Sequence, residues 1–244
     1  MDKPHIPLQK FKFLDGSWLK IIAMLSMLID HTAHMLQKAV PFFSETISLP
    51  FGKSVTVYYI MRMLGRLAFP IFCFLIAEGF YYTRNKKKYG FNLLIFAIIS
   101  ELPFNLLISR GKHLFYTNKQ NIFFTLFLGF LVLYILECKL NTIFKLSISV
   151  SIVILSSFLR IDYGTLGVIL IIMLYVLRNN NIAKTIIAKP LLSGGYPAWS
   201  AFVLINLYNG KRGFIQGKFL KYVFYAFYPV HILILYIILK LIQM

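Results

Sequence analysis

The chain has 244 residues, of which 59% are hydrophobic, 17% aromatic and only 14% charged, and its mean hydropathy is +0.73. Soluble domains carry about 25% charged and about 45–50% apolar residues, so a water-soluble fold is excluded. The formal net charge of +18 would suggest nucleic acid in a soluble protein, but here the basic residues punctuate apolar runs, where they meet lipid headgroups, and no nucleic-acid partner is expected.

Residues 1–17 form a polar, basic segment expected to be a cytoplasmic tail. The apolar run from Trp18 lacks an A-x-A cleavage site and reads as a retained signal anchor. Apolar segments then follow at 18–37, 55–82, 89–109, 121–138, 143–160, 164–178, 190–208 and 219–242. Several approach the roughly 20 residues needed to cross a hydrocarbon core. The expected fold is all-α, a polytopic transmembrane helical bundle of about eight spans forming one integral-membrane domain over 1–244. The second segment is too long for one straight span, and Pro70 is expected to kink it. The sixth is short and must pack closely at Gly164 and Gly167 or lie partly submerged. Cys73 and Cys138 show no metal-ligand spacing and require no bridge.

Short loops rich in Lys and Arg face the cytoplasm. Lys3, Lys10 and Lys12 precede the first span, and "TRNKKK" (Thr83–Lys88) follows the second, so both belong on that side. "SRGKHLFYTNKQ" then falls outside despite its basic residues, a mild violation. "NGKRGFIQGKFLK", from Asn209, is a stronger one. A hairpin over 182–208, broken at "SGGYP" (Ser193–Pro197), would return that loop to the cytoplasm. Irregular backbone of this kind is tolerated at depth only where it is buried or lines a cavity.

Asp30, Glu78, Glu101 and Asp162 lie within apolar spans or at their ends, as do Arg62, Arg66, Arg160 and His231. Ionisable groups at depth are costly and mark function by default. On a helix, residues four apart share a face, so Asp30 stacks with His34 while His31 points about 100° away. To hold His31, Asp30 would need an unwound turn, or His31 a partner on another helix. Arg62 and Arg66 also share a face, as an anion clamp or as counter-ions for Glu78 and Glu101. Glu101 and Asn105 flank Pro103, which frees a backbone carbonyl nearby. His231 fits either a cavity or an interfacial belt with Tyr225 and Tyr228.

A histidine held by a carboxylate is a general base at neutral pH, and paired arginines suit the phosphates of a coenzyme A thioester. That inventory fits acyl transfer. It fits equally a proton-coupled transporter of a small anionic solute. No metal-hydrolase ligand spacing appears.

The motifs also carry a resemblance. "LKIIAMLSMLIDH" (Leu19–His31), "RMLGRLAFPIFCFLIAEGFYYTRN" (Arg62–Asn85), "ISELPFN" (Ile99–Asn105), "QNIFFTLFLG" (Gln120–Gly129), "DYGTLGV" (Asp162–Val168) and "YAFYPVHILILY" (Tyr225–Tyr236) occur in this order. Together they resemble the TraX family, whose named member is the F-pilin N-acetylase. That family is similar to integral-membrane acyltransferases that use a cytoplasmic acyl-CoA donor and place a histidine in an early span. The resemblance implies transfer of an acetyl group from acetyl-CoA, as co-substrate and without a metal, to an amine-bearing peptide, protein or small molecule. It implies catalytic roles for His31, Asp30 and Glu78, with His31 as base and Asp30 or Glu78 steadying its imidazolium. Arg62, Arg66, Glu101, Asn121, Asp162 and His231 match polar positions of the pattern and become donor- and substrate-binding candidates. His34 stands outside it. The expected setting is the lipid of a bacterial inner (cytoplasmic) membrane, crossed several times with the N-terminus cytoplasmic, and with the donor entering beside "TRNKKK".

Overall fold

A computed structural model describes residues 12–48, 54–115 and 118–244; Lys3, His5 and Lys10 of the expected tail lie outside the described residues. The chain is mostly helical, as its apolar composition requires. Helix α1 (Gly16–Leu36) starts where the Asp15 carboxylate accepts from the amides of Ser17 and Trp18 at 2.8 and 3.0 Å. A 3-10 turn, Pro41–Ser44, and a small antiparallel hairpin of β1 (Thr46–Ser48) and β2 (Ser54–Thr56) lead into α2 (Val57–Gly65). These short strands escape a hydropathy reading because their residues are largely exposed and mostly polar.

Helix α2 continues into α3 (Ala68–Tyr82) to give a 26-residue apolar stretch. The break falls at Arg66–Leu67, four residues before Pro70. Proline lacks the N–H that the Arg66 carbonyl would otherwise accept from, so the expected kink lies one turn upstream of the proline itself. The ladder there tightens to i→i−3 bonds, from Arg66 N to Met63 O at 3.2 Å and from Leu67 N to Leu64 O at 3.3 Å. Pro103 does the same to the third segment: α4 (Lys86–Ile99) and α5 (Glu101–Ile108) meet at Ser100 with a bend of 47°.

Helices α6 (Ile122–Glu137), α7 (Thr142–Phe158) and α8 (Gly164–Val176) are shorter apolar helices. At 1.5 Å per residue α8 is only about 20 Å long. Gly167 supplies the expected close packing, since a Cβ there would crowd Thr125 and Phe69. Gly164 has open space around it and instead adopts φ +51, next to Tyr163 at φ +62.

The segment over 182–208 is broken, as its Gly and Pro content suggests, into α9 (Asn181–Ala188), a 3-10 turn at Lys189–Leu191, α10 (Gly195–Trp199) and α11 (Ala201–Asn206). Its far end comes back to the start of α1. Leu14 N donates to Leu207 O at 3.1 Å, Asn209 N to Leu14 O at 2.8 Å, and Gly16 N to Lys211 O at 2.8 Å. The basic loop from Asn209 therefore sits at the same end of the bundle as the N-terminus of α1. Helix α12 (Lys218–Ile242) sets out from that end and packs along α1.

Among the described residues three stretches, α1, α2–α3 and α12, are long and apolar enough to cross a membrane, or four if the bent α4–α5 pair is one span. Helices α1, α3, α6 and α8 enclose the core, where Leu19, Phe74, Phe80, Leu133, Ile171 and Leu174 are fully buried. Helices α7 and α12 turn Ile143, Phe144, Phe158, Phe219 and Leu241 outward. Apolar surface on that scale would be a liability in water and is stable against hydrocarbon.

Candidate functional site

A cavity of about 340 Å³ opens between α1, the α2–α3 break, α5, the start of α6 and α12. Asp30, His31, His34, Arg62, Arg66, Lys119 and Asp162 supply its charged and imidazole groups; Phe69, Phe72 and Tyr228 are among its apolar walls. The tip of the broken segment, Ser193, also reaches it. The cavity lies towards the end of the bundle opposite the Lys-rich turn. From Phe72 to Thr83 along α3 is roughly 16 Å at 1.5 Å per residue. "TRNKKK" and the cavity are thus not adjacent.

On α1, Asp30 turns towards α2, where Arg62 Nη1 donates to its Oδ2 at 2.6 Å. Two features bring the helices this close. Ser26 donates across the gap to Leu64 O at 3.0 Å, and Gly65 has no Cβ where the Asp30 side chain lies. The Asp30–His34 pair suggested by helical spacing is not made, because a guanidinium offers the carboxylate a stronger, charge-assisted bond than a neutral imidazole. His34 is left with both ring nitrogens buried and without a hydrogen-bond partner among the described residues.

His31 faces another way and meets a histidine. Its Nδ1 lies 2.7 Å from Nε2 of His231 on α12. Nδ1 of His231 lies 2.6 Å from the Phe227 carbonyl oxygen, one turn back on the same helix. Glu78, the candidate partner for His31, is elsewhere. It lies ten residues into α3, about 15 Å along the axis from Ala68, and faces Arg178 at 3.6 Å near the basic end. Tyr81 stacks on that guanidinium at 3.2 Å.

Arg62 is thus neutralised by Asp30 rather than by Glu78 or Glu101, and Arg66 forms no ion pair among the described residues while lining the cavity. Gly194 packs against its side chain; a Cβ there would sit 3.1 Å from Arg66 Cδ. Asp162 pairs with Lys119 at 2.7 Å. Their loops are bound together by Gln120 N to Arg160 O at 3.1 Å and Asp162 N to Gln120 O at 2.9 Å. Arg160 and Tyr163 both hold positive φ in this short stretch, and Tyr163 lies flat on Phe69 with centroids 3.5 Å apart. Left-handed backbone at non-glycine residues costs of order 1–3 kcal/mol each and gathers at functional sites.

Glu101 and Asn121 do not line the cavity. Asn121 Nδ2 donates to Glu101 Oε2 and to Ala97 O, each at 2.7 Å, and its Oδ1 caps α6 through Phe123 N at 3.0 Å. This cluster satisfies the Ala97 carbonyl at the α4–α5 break and fixes where α6 begins. Lys119, Tyr163, Ser193 and Tyr228 went unremarked as site residues from sequence. For Lys119 a signal existed, since it stands in the loop that breaks the positive-inside pattern.

The family model described as TraX protein matches residues 15–239. The chain belongs to the TraX family. Among the TraX chain's relatives is a probable fimbrial assembly protein FimC (serogroup H1) of Dichelobacter nodosus, 28% identical over 89% of this chain and 92% of that protein. An uncharacterized protein, RP591, of Rickettsia prowazekii (strain Madrid E) is 27% identical over 65% of this chain and 54% of its own length. No solved structure matches.

Proposed function

We propose that this TraX-family protein is an acyl-CoA-dependent N-acyltransferase that moves an acetyl group to an amine, in the class of a peptide or protein N-terminus. The observation that carries this reading is His31, tethered to another helix and facing a cavity beside Arg66, which has no ion-pair partner among the described residues. His31 takes the proton from the acceptor nitrogen as that nitrogen attacks the thioester carbonyl. Arg66 stabilises the oxygen on which charge develops, and the coenzyme A thiolate departs with a proton returned by His31. Asp30 acts indirectly by holding Arg62. The FimC relative's name, a fimbrial assembly protein, supports a subunit of a surface fibre as the acceptor class.

The proposed setting is a bacterial inner membrane with the end carrying Lys12, Lys86, Lys87, Lys88, Lys211 and Arg212 in the cytoplasm. In that arrangement about eight apolar segments become seven crossings and one re-entrant hairpin, 181–206. This removes the conflict over the Asn209 loop, because it lies beside α1's start. The donor's phosphates would rest at the basic end while its extended pantetheine arm reaches the cavity.

The test is release of free coenzyme A from acetyl-CoA by purified protein in detergent, with a peptide bearing a free N-terminal amine as acceptor. Mass spectrometry of the peptide completes it. Acetylated peptide is expected from the native chain and none from His31→Gln. Absence of acyl-CoA binding, together with solute uptake into sealed vesicles driven by a proton gradient, would replace this reading with a transporter.

A further inference from the structure

We propose that His231 is a positioning residue that fixes the tautomer of His31, leaving Nε2 of His31 as the basic atom in the cavity and receiving the charge that His31 acquires. The proposal rests on the reading of His31 as the base.

A carbonyl oxygen only accepts hydrogen bonds. Nδ1 of His231, 2.6 Å from the Phe227 oxygen, must therefore carry a hydrogen. A neutral imidazole has one N–H, so Nε2 of His231 presents a lone pair. His31 Nδ1, 2.7 Å away, then carries the hydrogen between them, and His31 Nε2 is bare. No described residue hydrogen-bonds to that nitrogen, and His31 lines the cavity.

The ring geometry suits this bond. The two imidazoles are parallel within 8°, with centroids 5.0 Å apart. With nitrogens only 2.7 Å apart, the rings must lie edge to edge in nearly one plane. The N–H then points along the neighbouring lone pair. The Phe227 ring covers a face of His231 at 4.7 Å, and Tyr228 meets both imidazoles edge-on at 5.9 and 6.0 Å. Aromatic walls on α12 thus hold the dyad in register.

The proton balance closes without any further group. As the acceptor nitrogen bonds to the acyl carbon, its proton passes to His31 Nε2. The hydrogen on His31 Nδ1 shifts to His231 Nε2, and the charge comes to rest on a ring whose other N–H is already bonded to a carbonyl. When the thiolate leaves it takes the proton from His31 Nε2, and the shared hydrogen returns to His31 Nδ1. A carboxylate is the usual partner that orients a catalytic histidine. Here a second imidazole, set by a helix carbonyl, does so.

The experiment is nitrogen NMR of full-length protein labelled with 15N-histidine in lipid bilayers, with the His31 signals identified as those lost in His31→Gln. A protonated Nδ1 and an unprotonated Nε2 on His31, with scalar coupling from Nδ1 to a His231 nitrogen, are expected. A hydrogen on Nε2 and a bare Nδ1 would overturn the proposal. His231→Phe keeps the aromatic packing but removes the acceptor. It should lower kcat about 100-fold with the donor KM unchanged, and His231→Gln, whose amide oxygen can accept, should recover most of the loss. An unaltered kcat in His231→Phe would refute the catalytic part. The tautomer needs no substrate for its detection, so a dyad found as described in a protein that acetylates nothing would sink the acyltransferase reading alone.

Discussion

Removing Arg62 alone should destabilise the fold more than removing Arg62 and Asp30 together. The pair closes at 2.6 Å with side chains only 25% and 19% exposed. At an effective dielectric of ~20 its Coulomb attraction is about 6 kcal/mol, much of it offset by the desolvation of both ions. The net value of the pair is therefore small, but a single deletion leaves an unpaired charge facing a cavity inside the bilayer. Breaking a buried pair costs about 3–5 kcal/mol, and an isolated Arg or Asp at the centre of a spanning helix costs a similar ~3 kcal/mol. Arg62→Gln and Asp30→Asn should each cost about 3 kcal/mol. The double variant should cost less than either, a coupling of at least about 3 kcal/mol. The measurement is unfolding in mixed micelles of rising SDS fraction, followed by fluorescence of Trp18 and Trp199. Strict additivity of the two single effects would refute the reasoning, for it would mean that neither charge depends on the other.

His31→Gln should abolish acetyl transfer, by at least about 100-fold, with the chain still folded and its stability lowered only by the loss of the His231 hydrogen bond, about 1 kcal/mol; near-normal turnover would remove His31 from catalysis. Arg66→Gln should lower kcat roughly 100-fold and leave stability unaltered, because Arg66 has no ion-pair partner among the described residues to strand; this is read from the same coenzyme A release assay. Gly65→Ala should destabilise by about 1–3 kcal/mol and weaken the Asp30–Arg62 coupling, since its methyl group would overlap the Asp30 side chain. In a background lacking Cys73 and Cys138, cysteines at Lys12 and Asn209 should react with an impermeant maleimide from one face of the membrane. One at Lys119 should react from the other face only.

The helical, membrane-embedded character was legible from composition because apolar excess and scarce charge act on every residue alike. The break before Pro70 was also legible, since proline removes a defined hydrogen bond, although it lies about one turn upstream; at Pro103 the sequence showed a freed carbonyl but not the 47° bend that follows from it. The β1–β2 hairpin was not legible, having no hydropathic signature. At the site, sequence named five cavity residues, Asp30, His31, Arg62, Arg66 and Asp162, and noticed His34 only as the helical neighbour of Asp30. It failed on pairing. Helical spacing orders only neighbours on one helix, whereas the partnerships that form here, Asp30–Arg62, His31–His231 and Lys119–Asp162, all join different elements. Glu78 and Glu101 looked equivalent to Asp162 in sequence because depth along a helix is invisible to a charge pattern. Their separation from the cavity follows from helix rise and from the bonding of Glu101 to Asn121 at the α4–α5 break.

The most distinctive pair in the chain, Asp30-His31, owes its geometry to being adjacent. Consecutive helical residues diverge by about 100°, so two side chains that touch in sequence must address different neighbours. Asp30 fastens α1 to α2 through Arg62, and His31 fastens α1 to α12 through His231. Helices α2 and α12 belong to opposite ends of the chain, and the cavity is the space between these two attachments. A shift of one residue in α1 would turn both groups away from their partners together, which ties the anion-facing side of the cavity to its basic side. Arg62 and Arg66 obey the complementary rule. Four apart, they face the same way, and because α1 offers a single carboxylate there, one guanidinium is consumed by structure while the other faces the cavity with no ion-pair partner among the described residues.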